Sequence, residues 1–259
     1  MIVGITKARN EEHIIKDTLD NWAQFCDQIF VYDDCSQDDT ANPAAHHPAV
    51  VDVIGNGVFD EDRLRAEWVN RKAVLDLAKE LEPEWIACFD CDEHLHDLDT
   101  SLLSGSANII KTQWYDIYIT PEDEHLPDEQ YQDRRWVGCE YRQIPFFYRY
   151  HTSLDFSLPD QRIMHHPKCD QSQIIQNGLI KHWGKGFSKA IWDRKVQYYG
   201  WEQHLDGKPG IYSKKWQARK GKAVHNYFSD DGNPLVLWDD IRQRYLDEHN
   251  GISAVLQTA

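Results

Sequence analysis

The sequence has no long apolar stretch and no framework of paired cysteines. No apolar run approaches the roughly 20 residues that a membrane-spanning helix needs, so we expect no membrane span. The start, MIVGITKARN, lacks a charged segment followed by a long apolar one, which argues against a signal peptide. The six cysteines show no framework of paired spacings, which favours a reducing compartment, and we expect a cytoplasmic protein.

Positive charge is also scarce. The chain has 28 Lys and Arg against 43 Asp and Glu, a net charge of −15. This balance argues against nucleic acid and against anionic membranes as partners. Residues 181–225 are the exception, because they hold eleven Lys or Arg against three acidic residues. That segment is either a solvated basic face or a segment that closes over an anionic ligand.

Two short patterns are typical of metal or redox sites, but each is incomplete. Cys88 and Cys91 form a C-x-x-C pair, and the chain has no second one. The stretch HHPKC at 165–169 likewise lacks a second pair of ligands. Because a structural zinc site normally takes four protein ligands, neither pattern is favoured as a zinc site.

Strand and helix patterns alternate through the first hundred residues. Short apolar runs predict strands at 2–7, 28–34, 50–54 and 85–90, and apolar spacings of three and four predict helices within 9–25 and 62–81. This order predicts a parallel sheet with helices on both faces. We expect further strands at 107–120, 137–150 and 154–158, and helices near 187–204 and 234–249. With no internal repeat or low-complexity linker, residues 1–259 are expected to form a single domain.

Polar clusters follow three of the four strands predicted in the first hundred residues, at 7–10, 33–34 and 90–92. The carboxyl ends of parallel strands lie at one edge of a sheet, where open α/β sheets bind their ligands, so the clusters should converge on one crevice. Asp90 and Asp92 supply the carboxylate oxygens that Mg²⁺ and Mn²⁺ prefer. The alternative is that these acids belong to a solvated loop or cap a helix.

These motifs resemble those of the family 2 glycosyltransferases, which have the GT-A nucleotide-diphospho-sugar transferase fold. The shared parts are an R-N-E-E opening at 9–12, a D-D-x-S-x-D-x-T turn at 33–40 and a D-x-D at 90–92. IKHWGKG at 180–186 is similar to the segment with the family's downstream histidine. The resemblance covers residues 1–100 best.

The resemblance implies an α/β fold with a GT-A-like, Rossmann-type mixed sheet flanked by helices. Residues 1–100 would form the half that binds the nucleotide sugar. Residues 101–205 would bind the acceptor and complete the metal site, and residues 206–259 would be a C-terminal helical extension.

The implied activity is transfer of a sugar from a nucleotide-diphosphate donor, with a UDP-sugar favoured, to a glycan or other hydroxyl acceptor, with inversion. A Mn²⁺ or Mg²⁺ ion would neutralise the leaving diphosphate. By analogy, Asp92 would contact the metal, Asp90 the ribose or a metal-bound water, and His182 would complete the site. His94 and His96 compete as ligands because they lie closer in sequence.

The resemblance also places nucleotide-binding residues at the first two strand ends. Thr6, Ala8 and Arg9 would line the base pocket. Asp33 and Asp34 would accept hydrogen bonds from the base or the ribose, although both residue types also form turns.

Arg71 falls within an apolar helical stripe, where an unpaired cation would be costly. It therefore requires a carboxylate or a phosphate partner, and it is counted among the candidate nucleotide-binding residues. Inverting transfer also needs a base that takes the proton of the acceptor hydroxyl. The family supplies it from a loop beyond the middle strands, which makes Asp160 the first candidate here and residues 122–124 the alternative.

Two other functions are open. Sugar nucleotidyltransferases share the fold but typically have a glycine-rich, basic loop after the first strand, and TKARNEEH at 6–13 has no glycine. A non-catalytic protein that binds carbohydrate or nucleotide with a metal is the other alternative. The acids present at all three strand ends argue against it.

Overall fold

A mixed β-sheet organises the computed structural model, which describes residues 1–55, 57–58, 60, 63–156, 164–165, 173–200 and 217–256. The described strands are β1 Ile2–Ala8, β2 Gln28–Asp33, β3 Val50–Ile54, β4 Trp85–Asp90, β5 Glu93–His96, β6 Ile109–Ile117, β7 Trp136–Arg149, β8 Asp155–Phe156, β9 Met164–His165, β10 Ile174–His182 and β11 Val236–Leu237. The described α-helices are α1 Ile15–Trp22, α2 Ala41–Ala45, α3 Arg63–Glu80, α4 Lys189–Gly200 and α5 Trp238–Leu256, and 3₁₀ turns cover Thr100–Ser104 and Asp128–Asp133.

The main sheet has the strand order β3-β2-β1-β4-β7-β6-β10-β5, with β11 added on β7. Strands β1 to β4 run parallel, β7 runs antiparallel to both β4 and β6, and β5 runs antiparallel to β10. Strands β8 and β9 pair separately. The predicted α/β fold with a mixed sheet flanked by helices is confirmed, and α5 supplies a helix in the C-terminal part.

Apolar residues on both faces of the parallel strands explain the two helical layers. On β4, Ala87 and Phe89 pack with α1, where the Trp22 ring stacks on Phe89 with 4.1 Å between centroids. Ile86 and Cys88, which alternate with them, pack with α3 on the other face. A strand buried on both faces reads as a continuous apolar run, which is why this strand was predictable from sequence.

Most predicted elements in the first half lie within two residues of the observed ones. In the second half, the strand expected at 154–158 is described only as β8, and residues 201–204 of the helix expected near 187–204 lie outside the described residues. Strand β5 was not predicted, because its sequence EHLH lacks a run of apolar residues. No helix in the described ranges is long and apolar enough to cross a membrane.

Candidate functional site

Three strands bring His182 between two carboxylates. His182 ends β10, and the sheet register pairs it with Asp116 on β6 and with Glu93 on β5. Asp92 immediately precedes β5 and therefore lies beside the same imidazole. His182 Nδ1 is 2.5 Å from Asp116 Oδ1, and Nε2 is 3.4 Å from Asp92 Oδ1. The sheet thus fixes which ring nitrogen faces which acid.

Asp92 carries a cationic partner on each carboxylate oxygen. Lys195 Nζ, from α4, lies 2.7 Å from Asp92 Oδ2, and His182 faces Oδ1. Burial alone would raise the pKa of Asp92, but Lys195 and His182 hold that pKa well below its usual range. Burial would lower the pKa of His182, but Asp92 and Asp116 outweigh it and raise that pKa to about 10. At neutral pH the site therefore holds a charged Asp92 carboxylate between two positively charged groups.

Glycine is needed where the chain passes over this pair. A Cβ atom at Gly184 would lie 2.6 Å from His182 Cε1 and 3.0 Å from Asp92 Oδ2, closer than side chains can pack. The preceding Trp183 backbone N–H donates to the Asp92 carbonyl at 2.7 Å. Residues 183–184 therefore cover Asp92 and His182 directly.

The competing histidines lie in the packed interior. The Trp183 indole N–H donates to His94 Nδ1 at 3.1 Å, and His94 Nε2 is 3.2 Å from Thr18 Oγ1. Burial lowers the pKa of His94 to about 4 and that of His96 to about 3. Both nitrogens of His94 are thus engaged, and His182 is the histidine that faces Asp92.

A second cluster joins the ends of β1 and β2 to α3. Lys7 Nζ lies 3.0 Å from both Asp34 Oδ2 and Glu67 Oε2, and Asn70 donates to Asp34 Oδ1 at 2.9 Å. Burial would lower the pKa of Lys7, but Glu67 and Asp34 raise it overall. Both oxygens of Asp34 are therefore occupied within the protein.

Arg71, 3% exposed, is held by carboxylates. Its Nε donates to Glu67 Oε1 at 2.6 Å, and its Nη2 donates to Asp90 Oδ1. The Asp90 backbone N–H in turn donates to Glu93 Oε2 at 2.8 Å. Of the two kinds of partner that the sequence required for Arg71, the structure supplies carboxylates.

Asp33 differs from its neighbour Asp34. Its Oδ2 accepts a hydrogen bond from the Ser36 backbone N–H at 3.3 Å. Its Oδ1 is buried and has no hydrogen-bond partner among the residues that the structure describes. Since buried polar atoms are nearly always paired in native proteins, this oxygen is a candidate acceptor for a donor outside the described residues.

The remaining candidates on β1 are mostly enclosed. The side chains of Thr6 and Ala8 are buried, and Thr6 Oγ1 lies 3.6 Å from Cys91 Sγ. Arg9 donates to the backbone carbonyls of Asp34 and Cys35, which fixes the turn after β2. The side chains of Thr6 and Ala8 are thus packed inside the protein, so only backbone atoms of these residues remain for contact with a ligand.

The first candidate for the base, Asp160, lies outside the described residues. In the alternative segment, Asp123 Oδ1 accepts from the Thr120 backbone N–H at 2.7 Å, and Glu122 lies 2.9 Å from Arg135. Lys189 Nζ is 4.0 Å from the third acid of that segment, Glu124.

Among the described residues, no group of three or more His, Cys, Asp or Glu side chains is arranged to hold a metal ion. Asp92 nevertheless offers a carboxylate, His182 offers an imidazole nitrogen once a bound cation displaces its Nε2 proton, and Asp116 orients that imidazole. This set fits a divalent cation that takes its other ligands from water and phosphate oxygens, as Mg²⁺ often does.

Several residues of the site carried no local signal in the sequence. Asp116 lies within an aromatic strand, and Lys195 is one of eleven Lys or Arg in the basic segment 181–225. Glu67 could have been identified from the sequence, because it lies four residues before Arg71 on the same helix, a spacing at which side chains contact each other.

Comparisons with known proteins add little to this geometry. No protein-family model matches the chain. Two relatives, described only as uncharacterized proteins of Mycobacterium bovis and Mycobacterium tuberculosis, are each 35% identical over 96 residues. The match covers 35% of this chain and 23% of each relative, so the chain spans less than a quarter of their length.

Solved structures match the chain over part of the fold. Glucosyl-3-phosphoglycerate synthase from Mycobacterium tuberculosis is 19% identical with a TM-score of 0.31, covering 44% of each chain. Mannosyl-3-phosphoglycerate synthase from Rubrobacter xylanophilus is 18% identical with a TM-score of 0.32, covering 50% of this chain and 44% of its own. HddC from Yersinia pseudotuberculosis is 10% identical with a TM-score of 0.36, covering 76% and 99%. Likenesses at this level carry no argument about activity, which has to come from the site.

Proposed function

We propose that this chain is a metal-dependent glycosyltransferase that moves a sugar from a nucleotide-diphosphate donor, a UDP-sugar first, to a glycan or other hydroxyl acceptor, with inversion. The observation that carries the proposal is the alignment of Asp116, His182 and Asp92 across β6, β10 and β5. These three residues lie beside the polar ends of the parallel strands, and open α/β sheets bind nucleotides at that edge. The cytoplasmic location and the division of the chain into donor, acceptor and C-terminal parts belong to the same proposal.

Asp92 and His182 would hold the divalent cation. Mn²⁺ or Mg²⁺ there would supply the positive charge that stabilises the leaving diphosphate. Asp116 accepts from His182 Nδ1 and so turns Nε2 toward Asp92. A carboxylate behind a histidine ligand typically fixes the ring and raises its basicity.

Asp33 would recognise the nucleoside. Its unpartnered Oδ1 suits an N–H donor of the base or a hydroxyl of the ribose. Asp34 would act indirectly, because Lys7 and Asn70 occupy both of its oxygens and it thereby holds the turn that carries Asp33. Asp90 would likewise act through Arg71, which ties it to α3.

The acceptor hydroxyl must lose a proton as it attacks the sugar, and a positioned carboxylate contributes typically ~10²–10⁴-fold to such a step. Asp160 is the first candidate, from the resemblance. Asp123 is the weaker alternative, since it is buried and accepts hydrogen bonds from Thr120.

A thermal-shift panel of UDP, GDP, ADP and CDP, each with Mn²⁺ or with EDTA, tests the proposal. A nucleotide that binds only the folded protein stabilises it by about 2.7 kcal/mol at a hundredfold excess over Kd. We expect one nucleotide to stabilise the protein, only with Mn²⁺, and Asp92→Asn to abolish that effect. Asp76→Asn, a matched change at an exposed acid on α3, should leave it intact.

Stabilisation by no nucleotide, or equal stabilisation in EDTA, would overturn the proposal. The nucleotide identified by the panel then defines the sugar donors to incubate with an acceptor library. Release of the nucleoside diphosphate with a glycosylated product is the result expected of a transferase. Tight binding without any product would favour the non-catalytic alternative.

A further inference from the structure

Lys195 reaches from α4 into the centre of the site. Its Nζ lies 2.7 Å from Asp92 Oδ2 and 4.0 Å from Glu11 Oε1. The side chains of Lys195 and Asp92 are 15% and 14% exposed, so this contact is largely removed from water. An ion pair in such a place is stronger than one on the surface and less weakened by salt.

The two cationic partners of Asp92 stand where a divalent cation would bind. His182 Nε2 faces Oδ1 at 3.4 Å, while Lys195 holds Oδ2. A cation coordinated by Asp92 and His182 would therefore meet the ammonium of Lys195 within a few ångströms. Two positive charges at that separation repel each other, so each weakens the other's hold on the carboxylate.

We propose that Lys195 is a tethered counter-cation, which occupies Asp92 before the divalent cation binds and yields Asp92 when it does. This inference rests on the proposed function, since it takes Asp92 as a ligand of the cation. Lys195 then lies beside the anionic donor, where its charge adds to that of the metal. Without Lys195, the metal-free protein would hold a largely buried carboxylate with His182 as its cationic neighbour.

A purely structural ion pair is the competing explanation, in which Lys195 anchors α4 to the sheet. Packing already provides that anchor. Ile191 and Trp192 on α4 are buried, and the Trp192 indole donates to the Arg219 carbonyl at 3.1 Å. The contact with Asp92 is therefore not required to hold the helix in place.

Binding of Mn²⁺ alone separates these explanations. Free Mn²⁺ is measured by electron paramagnetic resonance in titrations of the wild-type chain, Lys195→Met and Lys189→Met. We expect Lys195→Met to bind Mn²⁺ about five- to tenfold more tightly, because it removes the competitor. Lys189→Met makes the same change of charge on the same helix at a 56% exposed lysine, and it should match the wild type.

A labelling experiment on the wild-type chain makes the same test without a mutation. The reactivity of each lysine toward an acetylating reagent is measured by mass spectrometry with and without Mn²⁺. Lys195 should become more reactive when Mn²⁺ is added, while Lys189 should not change.

The outcomes distinguish this inference from the proposed function. If the wild type binds Mn²⁺ and Lys195→Met binds it equally or more weakly, with no change in Lys195 labelling, the counter-cation role is wrong and the metal role of Asp92 stands. If neither the wild type nor Lys195→Met binds Mn²⁺, both are overturned.

Discussion

Asp116 accepts a hydrogen bond from His182 Nδ1 at 2.5 Å, and this contact between two parallel strands sets the direction of the opposite ring nitrogen. Asp116 is 2% exposed, and its second oxygen is held by Lys185 at 2.5 Å. The His182 imidazole is thus held at Nδ1 by a carboxylate whose other oxygen is held by Lys185. Such an arrangement is more informative about function than the presence of a histidine alone.

Asp116→Asn should weaken Mn²⁺ binding about 10- to 100-fold, the usual cost of losing the carboxylate behind a histidine ligand. Lys185 keeps Asp230 as a partner at 3.2 Å, so the fold should survive. Mn²⁺ titration monitors the effect, and circular dichroism checks the fold. Asp155→Asn, at a 46% exposed acid, is the control. Unchanged Mn²⁺ affinity in a folded Asp116→Asn protein would show that Asp116 does not orient a metal ligand.

Asp34→Asn should lower stability, whereas Asp33→Asn should weaken nucleotide binding. Asp34→Asn takes one of two carboxylate partners from the largely buried Lys7, so we expect a loss of about 1–3 kcal/mol in the free energy of unfolding. Asp33→Asn should leave stability nearly unchanged and weaken nucleotide binding, because only its Oδ1 lacks a partner within the described chain. Urea unfolding and nucleotide titration measure the two effects. The reverse pattern would make Asp34 the residue that contacts the nucleotide.

Gly184→Ala should lower both stability and Mn²⁺ affinity. The new methyl group would collide with His182 and Asp92, and forcing an extra carbon into a packed site costs typically about 1–3 kcal/mol. Gly105→Ala is the matched control, because its Cβ would meet only the Leu102 carbonyl, at 3.3 Å. Thermal unfolding and Mn²⁺ titration report the two effects. If Gly184→Ala behaves like Gly105→Ala, the chain does not pass over the site as closely as described.

His96 should make the protein sensitive to acid. Burial lowers its pKa from 6.5 to about 3 in the folded state, so between these values the unfolded chain binds a proton that the folded chain does not. As the pH decreases through this range, the free energy of unfolding falls by at most about 1.4 kcal/mol per pH unit for this residue. The charged or titratable groups around it are His94, Arg242, Lys181 and Asp97.

His96→Phe keeps a ring against Trp238 and removes this titration. Urea unfolding at several pH values below about 6.5 should therefore show a shallower loss of stability for His96→Phe than for the wild type. His13 and His94 also have lowered pKa values and will leave part of the slope. An identical slope in both proteins would mean that His96 is already protonated in the folded state.

The parallel half of the sheet was predictable because its information is local. Strands buried on both faces read as apolar runs, and the polar residues that follow them mark the binding edge. Asp116 and His182 are 66 residues apart, and Asp92 and Lys195 are 103 apart. These contacts depend on the register of β5, β6 and β10 and on the position of α4, which no local pattern encodes. The same reason explains why the sequence did not indicate that Lys7 and Asn70 contact Asp34.

The acids of the D-x-D motif belong to different halves of the sheet. Asp90 ends β4 and is tied through Arg71 to α3, whereas Asp92 precedes β5 and faces His182 on β10. Between them, Cys91 is buried in the core. In a double-mutant cycle, Asp90→Asn and Asp92→Asn should therefore couple only weakly in nucleotide affinity, since Arg71 contacts the first acid and His182 and Lys195 contact the second. Under the proposed function, a change at Asp92 would alter cation preference and leave the Asp90–Arg71 pair in place, although a single residue separates the two acids in the chain.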